Sequence, residues 1–127
     1  MPESIDAAVA ACAKACTEES SKRACDALLW AAGNNHAGTY GPSALTLVDG
    51  LEPVINSSAP WAQRAALEAM IDLYGSFESE SGEQLARELR QRIASLEPEV
   101  IAISKSSSVA APSALALLEL LHEPAPN

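Results

Sequence analysis

The strongest constraint on the fold is a repeat within the chain. The run Leu-Glu-Pro-Val-Ile at residues 51–55 returns at residues 96–101, where one extra residue, Glu99, follows the proline. A second echo relates residues 24–33 to residues 66–75, which match in the order of their small, apolar and acidic side chains and in a closing glycine. Repeats of about 40 residues built from helix-forming residues are typical of stacked helix pairs. The sequence therefore predicts an array of antiparallel helix pairs.

Composition supports helices over sheets, because alanine and leucine dominate the apolar residues and aromatic residues make up only 4%. We expect one all-α domain over residues 1–127, folded as a short right-handed α-solenoid of about six helices. Side chains of the middle pair, such as Leu51 and Leu73, should be sandwiched between the outer pairs. The predicted pairs and the tail that follows them span residues 3–32, 42–74, 82–122 and 123–127.

Two prolines fall late in predicted helices. Gly50 and Pro53 are expected to kink or briefly break the third helix, because proline removes one hydrogen bond of the helical ladder and clashes with the preceding turn. The fifth helix, from residue 83 to about residue 103, meets Pro98 in the same way.

Three further local features are predicted. The hydroxyl of Thr17 can cap the second helix. Residues 104–108, which are rich in serine, are interpreted as a mobile loop. The last helix, residues 113–122, is apolar nearly all round, so it is either buried between neighbours or covers a partner.

The net charge of −9 argues against a nucleic-acid-binding surface, which requires clustered basic residues. An acidic protein suits a basic protein partner. No stretch reaches the length of a membrane span and no charged leader with an apolar core opens the chain, so we expect a cytoplasmic protein that does not bind a membrane.

The three cysteines predict neither a disulfide framework nor a metal site. Cys12 and Cys16 are four residues apart and are interpreted as small core residues on one helical face, in a reducing compartment. Together with Cys25 and His36 they match no common zinc-ligand spacing. We therefore expect no metal and no cofactor.

No catalytic residue is predicted. His36 is the strongest candidate, because histidine titrates near neutrality, but the sequence supplies no nucleophile or cleft beside it. Cys25 could pair with it only from two helical turns before the loop, on the apolar side. The acids Asp72, Glu78, Glu80 and Glu83 cluster in the sequence but have no fixed catalytic spacing. A structural role for His36, locking its turn, is favoured.

A resemblance adds a function. Residues 27–42 read Ala-Leu-Leu-Trp-Ala-Ala-Gly-Asn-Asn-His-Ala-Gly-Thr-Tyr-Gly-Pro, and residues 66–78 read Ala-Leu-Glu-Ala-Met-Ile-Asp-Leu-Tyr-Gly-Ser-Phe-Glu. These segments resemble small bacterial HEAT-like proteins, some of which are similar to the immunity partners of polymorphic or contact-dependent toxins. The likeness covers about residues 22–103. It implies a protein without catalysis of its own, which binds a cognate toxin and occludes its active site. An acidic surface would suit a toxin with a basic cleft.

The loops at residues 33–41 and 75–82 both follow the second helix of a pair, so in a solenoid they should emerge on one edge. We expect this edge to form part of the partner contact, and Trp61, at the start of its helix, to be a further anchor. The predicted contact residues are Asn34, Asn35, His36, Thr39, Tyr40, Trp61, Glu78 and Glu80.

Three alternatives stay open. The chain could be a HEAT-like adaptor in another bacterial complex. It could be an enzyme that uses His36 and nearby acids, or its apolar last helix could serve self-association.

Overall fold

The computed structural model describes residues 5–31, 43–76 and 83–122. All regular structure in these ranges is helical and they contain no strand, which confirms the all-α class. None of these helices combines the length and the apolar character that crossing a bilayer requires. In chain order they are α1 (Ile5–Ala13), α2 (Glu18–Ala31), α3 (Ser43–Ile55), α4 (Pro60–Ser76), α5 (Glu83–Ala94), α6 (Glu97–Ser104) and α7 (Ala111–Leu121).

The turn between α1 and α2 ends in the predicted cap. The amide of Ser20 donates a hydrogen bond of 3.0 Å to Oγ1 of Thr17, and the Thr17 amide donates one of 2.9 Å to Oγ of Ser20. The two residues thus satisfy each other's amide groups at the helix start, in the manner of a capping box. The first turn of α2 is therefore fixed by local chemistry.

Helix α3 runs through both residues that were expected to interrupt it. Pro53 lies inside α3, two residues before its end, so the ladder loses a bond only in the last turn. Gly50 serves packing instead. A Cβ atom at this position would lie 3.3 Å from Cγ2 of Val9, so the glycine lets α1 approach α3 closely. The predicted break in this helix was wrong.

The second copy of the repeat differs at this point. The single helix predicted from residue 83 to residue 103 is two helices, because the chain turns at Ser95 and Leu96. The Ser95 hydroxyl donates a hydrogen bond of 2.6 Å to the carbonyl of Arg92 and helps to close α5. Pro98 then falls in the first turn of α6, where its missing amide hydrogen has no helical partner to lose.

The helices pack in two series. In one series α1 packs against α3, and α3 packs against α5; in the other, α2 packs against α4, and α4 packs against α7. Helix α4 also contacts α1, α3 and α5, so it has neighbours on most sides. The two predicted anchors, Leu51 and Leu73, are both 0% exposed. The small side chains of α4 let its neighbours approach, and its fully buried members are Ala62, Ala65, Ala66, Leu67, Ala69, Met70 and Leu73.

Helix α7 is buried on one face against its neighbours, which is one of the two alternatives predicted for the last helix; that it covers a partner stays a prediction. Ser113, Ala114 and Leu117 are buried against α4 and α6, whereas Leu115 is 53% exposed. Its apolar surface is therefore only partly covered within the chain.

Candidate partner-binding surface

Trp61 is the one predicted contact residue that falls within the described ranges, and it lies in the first turn of α4. Its side chain is half-buried, and the guanidinium carbon of Arg64 lies 5.3 Å from the ring centre, close enough for cation–π attraction. Its main-chain carbonyl accepts a hydrogen bond of 2.9 Å from the buried Ser21 hydroxyl in α2. The position of Trp61 is therefore well fixed, and part of its ring is open to a partner.

The other predicted contact residues lie outside the described residues. They are Asn34, Asn35, His36, Thr39, Tyr40, Glu78 and Glu80. Asp72, from the same group of acids, is half-buried on α4.

A groove of about 670 Å³ opens at the end of the molecule where α4 begins. One wall is the turn between α3 and α4, and the other is α6 with the turn that leads into α7. Pro60, beside Trp61, is part of the lining. The groove therefore adjoins the first turn of α4, which carries the one predicted contact residue within the described ranges.

Both turns that border the groove are built in the same way. The Ser57 hydroxyl donates a hydrogen bond of 2.7 Å to the carbonyl of Val54, and its oxygen accepts one of 3.3 Å from the Ala59 amide. The Ser106 hydroxyl donates one of 2.6 Å to the carbonyl of Ile103, and its oxygen accepts one of 3.2 Å from an amide two residues on. Each serine replaces main-chain partners lost at a helix end. The segment 104–108, predicted to be a mobile loop, is therefore a hydrogen-bonded turn.

Glu99 is the acidic residue of the groove, and its chemistry is unusual. It lies in the first turn of α6, half-buried, and its carboxylate oxygen Oε2 is buried without a hydrogen-bond donor. Burying a charged oxygen without a donor costs free energy, because the oxygen loses its hydrogen bonds to water and gains none from the protein. The groove therefore contains an acceptor whose partner is not supplied by the described part of the chain.

Known proteins offer no guide to the role of this groove. Comparison of the chain with models of known families, with curated proteins and with solved structures finds no match.

The cysteines depart from the prediction in one case. Cys16 is exposed in the turn after α1, because that helix ends at Ala13 and the helical spacing from Cys12 no longer applies. Burial raises the pKa of the Cys12 thiol to about 11, and this thiol donates a hydrogen bond of 3.5 Å to the carbonyl of Ala62. Burial, followed by the nearby charge of Glu68, raises the pKa of Cys25 to about 12. Both thiols are therefore protonated and weakly nucleophilic at neutral pH.

The described residues contain no group of three or more histidine, cysteine, aspartate or glutamate side chains arranged to hold a metal ion. Asp49 of α3 and Glu88 of α5 are both engaged with arginine. Each pairs with Arg92, and Glu88 lies one helical turn before it in α5. Both pairs are partly exposed, and the Arg92–Asp49 pair ties α3 to α5 with modest energy.

Two groove residues had no predicted role. Gln63 lines the groove from α4, and nothing in its sequence surroundings marks it. Glu99 did have a signal, since it is the one residue that the second Leu-Glu-Pro run has and the first run lacks. An insertion at a repeat position is where one copy can acquire a feature that the other does not have.

Proposed function

We propose that this chain is a protein-binding module built as a short right-handed α-solenoid. We further propose that it is an immunity protein, which binds a cognate toxin and occludes its active site. The observation that carries the proposal is the order of helix contacts, α1 to α3 to α5 on one side and α2 to α4 to α7 on the other. Stacked antiparallel helix pairs produce this order, and such arrays present extended surfaces for partners.

Charge supports a basic partner. The net charge of −9 would attract a toxin whose active-site cleft binds phosphates or nucleotides, such as a nuclease. Electrostatic attraction raises the rate of encounter, which matters for a protein that must capture a toxin before it acts. The half-buried Trp61, beside the groove, adds the kind of aromatic anchor that concentrates binding energy at interfaces.

The toxin-neutralising role rests on the resemblance of residues 22–103 to small bacterial HEAT-like proteins. A general adaptor would have the same packing and the same charge, so the two functions differ only in their effect on the partner.

Co-expression with a toxin distinguishes the immunity role from the adaptor role. The chain would be produced together with a toxin-domain protein encoded by the adjacent gene, and growth would be measured by colony counts with an empty vector as the control. We expect the chain to restore growth and to form a complex with the toxin. A folded and abundant chain that binds its neighbour without restoring growth would point to an adaptor. Absence of both effects would reject the immunity role.

A further inference from the structure

We propose that the groove around Glu99 is a docking site for an arginine side chain of the bound protein. This inference rests on the proposed function, because the arginine belongs to the partner. It names the chemical group that the groove selects.

The first reason is that several polar donors of the groove are already used within the chain. The Ser57 and Ser106 hydroxyls donate to main-chain carbonyls, as described above. The Asn56 amide donates a hydrogen bond of 3.1 Å to the carbonyl of Glu52. The Gln63 amide nitrogen donates to two further carbonyls, at 2.7 Å and 2.9 Å. The carboxylate of Glu99, which lines the groove, has no donor to Oε2, so a cation that donates hydrogen bonds fits this groove better than an anion.

The second reason is charge. Four arginines of the described ranges are engaged elsewhere: Arg23 pairs with Glu19, Arg64 with Glu68, Arg92 with Asp49, and Arg90 lies over the ring of Tyr74. Arg87, on α5, is not part of the groove lining. A cation from a second protein would therefore pair with Glu99 without displacing one of these contacts.

The third reason is the shape of arginine. Its guanidinium can donate two parallel hydrogen bonds to a carboxylate, which the ammonium of lysine cannot do. Because Oε2 is covered in the free chain, the half-buried Glu99 side chain would turn toward the groove to accept both bonds. Its long apolar stem would lie along the apolar part of the lining, which includes Pro60, Ile103 and Val109. Val109 is 38% exposed, so its surface is open to such a contact.

The test uses the full chain, labelled with ¹⁵N, and three peptides as probes. The first is acetyl-Gly-Arg-Gly-amide, and the second carries citrulline, which has nearly the same shape as arginine but no charge. The third carries lysine, which has the charge without the planar guanidinium. We expect the arginine peptide to shift the amide signals of residues 56–58 and 106–109 and to bind about tenfold more tightly than the citrulline peptide. Glu99→Gln should abolish this difference. Glu52→Gln, which removes an exposed acid from the first Leu-Glu-Pro run, should preserve it.

Thermal unfolding checks that the Glu99→Gln chain is still folded. Glu99→Gln should not lower the midpoint temperature, because it removes a buried charge that has no donor. Equal affinity for a lysine peptide, an unchanged preference for arginine in Glu99→Gln, or shifts confined to other surfaces would overturn the proposal. Growth rescue without arginine binding would reject the groove and leave the immunity role standing. Arginine binding without growth rescue would reject the immunity role and leave the groove standing as a docking site for arginine.

Discussion

Gln63 and Ile55 are joined across the turn between α3 and α4: the amide nitrogen Nε2 of Gln63 lies 2.9 Å from the carbonyl oxygen of Ile55. The same nitrogen lies 2.7 Å from the carbonyl oxygen of Ser57. Carbonyls at the end of a helix have no partner within that helix. A side chain of α4 therefore closes α3 and at the same time forms part of the groove wall.

Replacing the side-chain amide of Gln63 should destabilise the fold. In Gln63→Leu the two carbonyls lose their donor in a buried place, and we expect the free energy of unfolding to fall by about 1–3 kcal/mol. Urea denaturation followed by circular dichroism measures this change. Gln91→Leu is the matched control, because Gln91 is exposed on α5 and should change stability by no more than about 0.5 kcal/mol. Equal effects of the two substitutions would contradict the bonding described for Gln63.

The central position of α4 predicts a large effect at Leu73. This side chain is 0% exposed, and truncation leaves a cavity that surrounding helices can fill only in part. We expect Leu73→Ala to lower the free energy of unfolding by roughly 2–5 kcal/mol. Glu119→Ala, on the exposed face of α7, should cost almost nothing. A loss below about 1 kcal/mol at Leu73 would mean that this part of the core is looser than its burial indicates.

The three thiols should react at very different rates. Only Cys16 is exposed, whereas Cys12 and Cys25 have pKa values raised by burial and hold little thiolate at pH 8. A colorimetric disulfide reagent should therefore titrate one thiol per native chain promptly and the other two only in denaturant. Cys16→Ala should abolish the prompt reaction. Prompt reaction of a second thiol would show that α1 or α2 opens readily.

Much of the fold could be predicted from periodicity and local chemistry. Apolar spacing predicted the helices, and the burial of Leu51 and Leu73 followed from their place in the middle pair. The Thr17 cap depends on near neighbours in the chain, so the sequence alone was enough. The error at Gly50 arose because a glycine in a helix can break it or admit a neighbour. Only the position of Val9, 41 residues earlier, decides between these outcomes.

The groove could not be predicted, because it depends on contacts between distant segments. The repeat marked Glu99 as an extra residue, but only packing shows that one of its oxygens is buried without a donor. Likewise, Gln63 could have been an exposed polar residue of a helical first turn. It is buried because the preceding turn folds back over it. The error at Cys16 was local, since α1 ends three residues before it.

The buried thiol of Cys12 should also make the protein less stable in alkali. Its pKa is raised from 9.0 to about 11 by burial, so between these values the unfolded chain releases a proton that the folded chain keeps. The thiol's contribution is fully present below pH 9.0 and is lost as the pH rises toward 11. The loss is up to about 1.4 kcal/mol for each pH unit. The free energy of unfolding, measured by denaturation from pH 8.5 to pH 10.5, should therefore fall less steeply in Cys12→Ala than in the natural chain.

Cys16→Ala is the control for this titration, because it removes an exposed thiol and should leave the slope unchanged. The difference between the profiles of the natural chain and Cys12→Ala reports Cys12 together with the smallest of the contributions that raise the pKa of Cys25, which comes from Cys12 itself. Parallel profiles for the natural chain and Cys12→Ala would show that the thiol at the contact between α1 and α4 reaches water in the folded state.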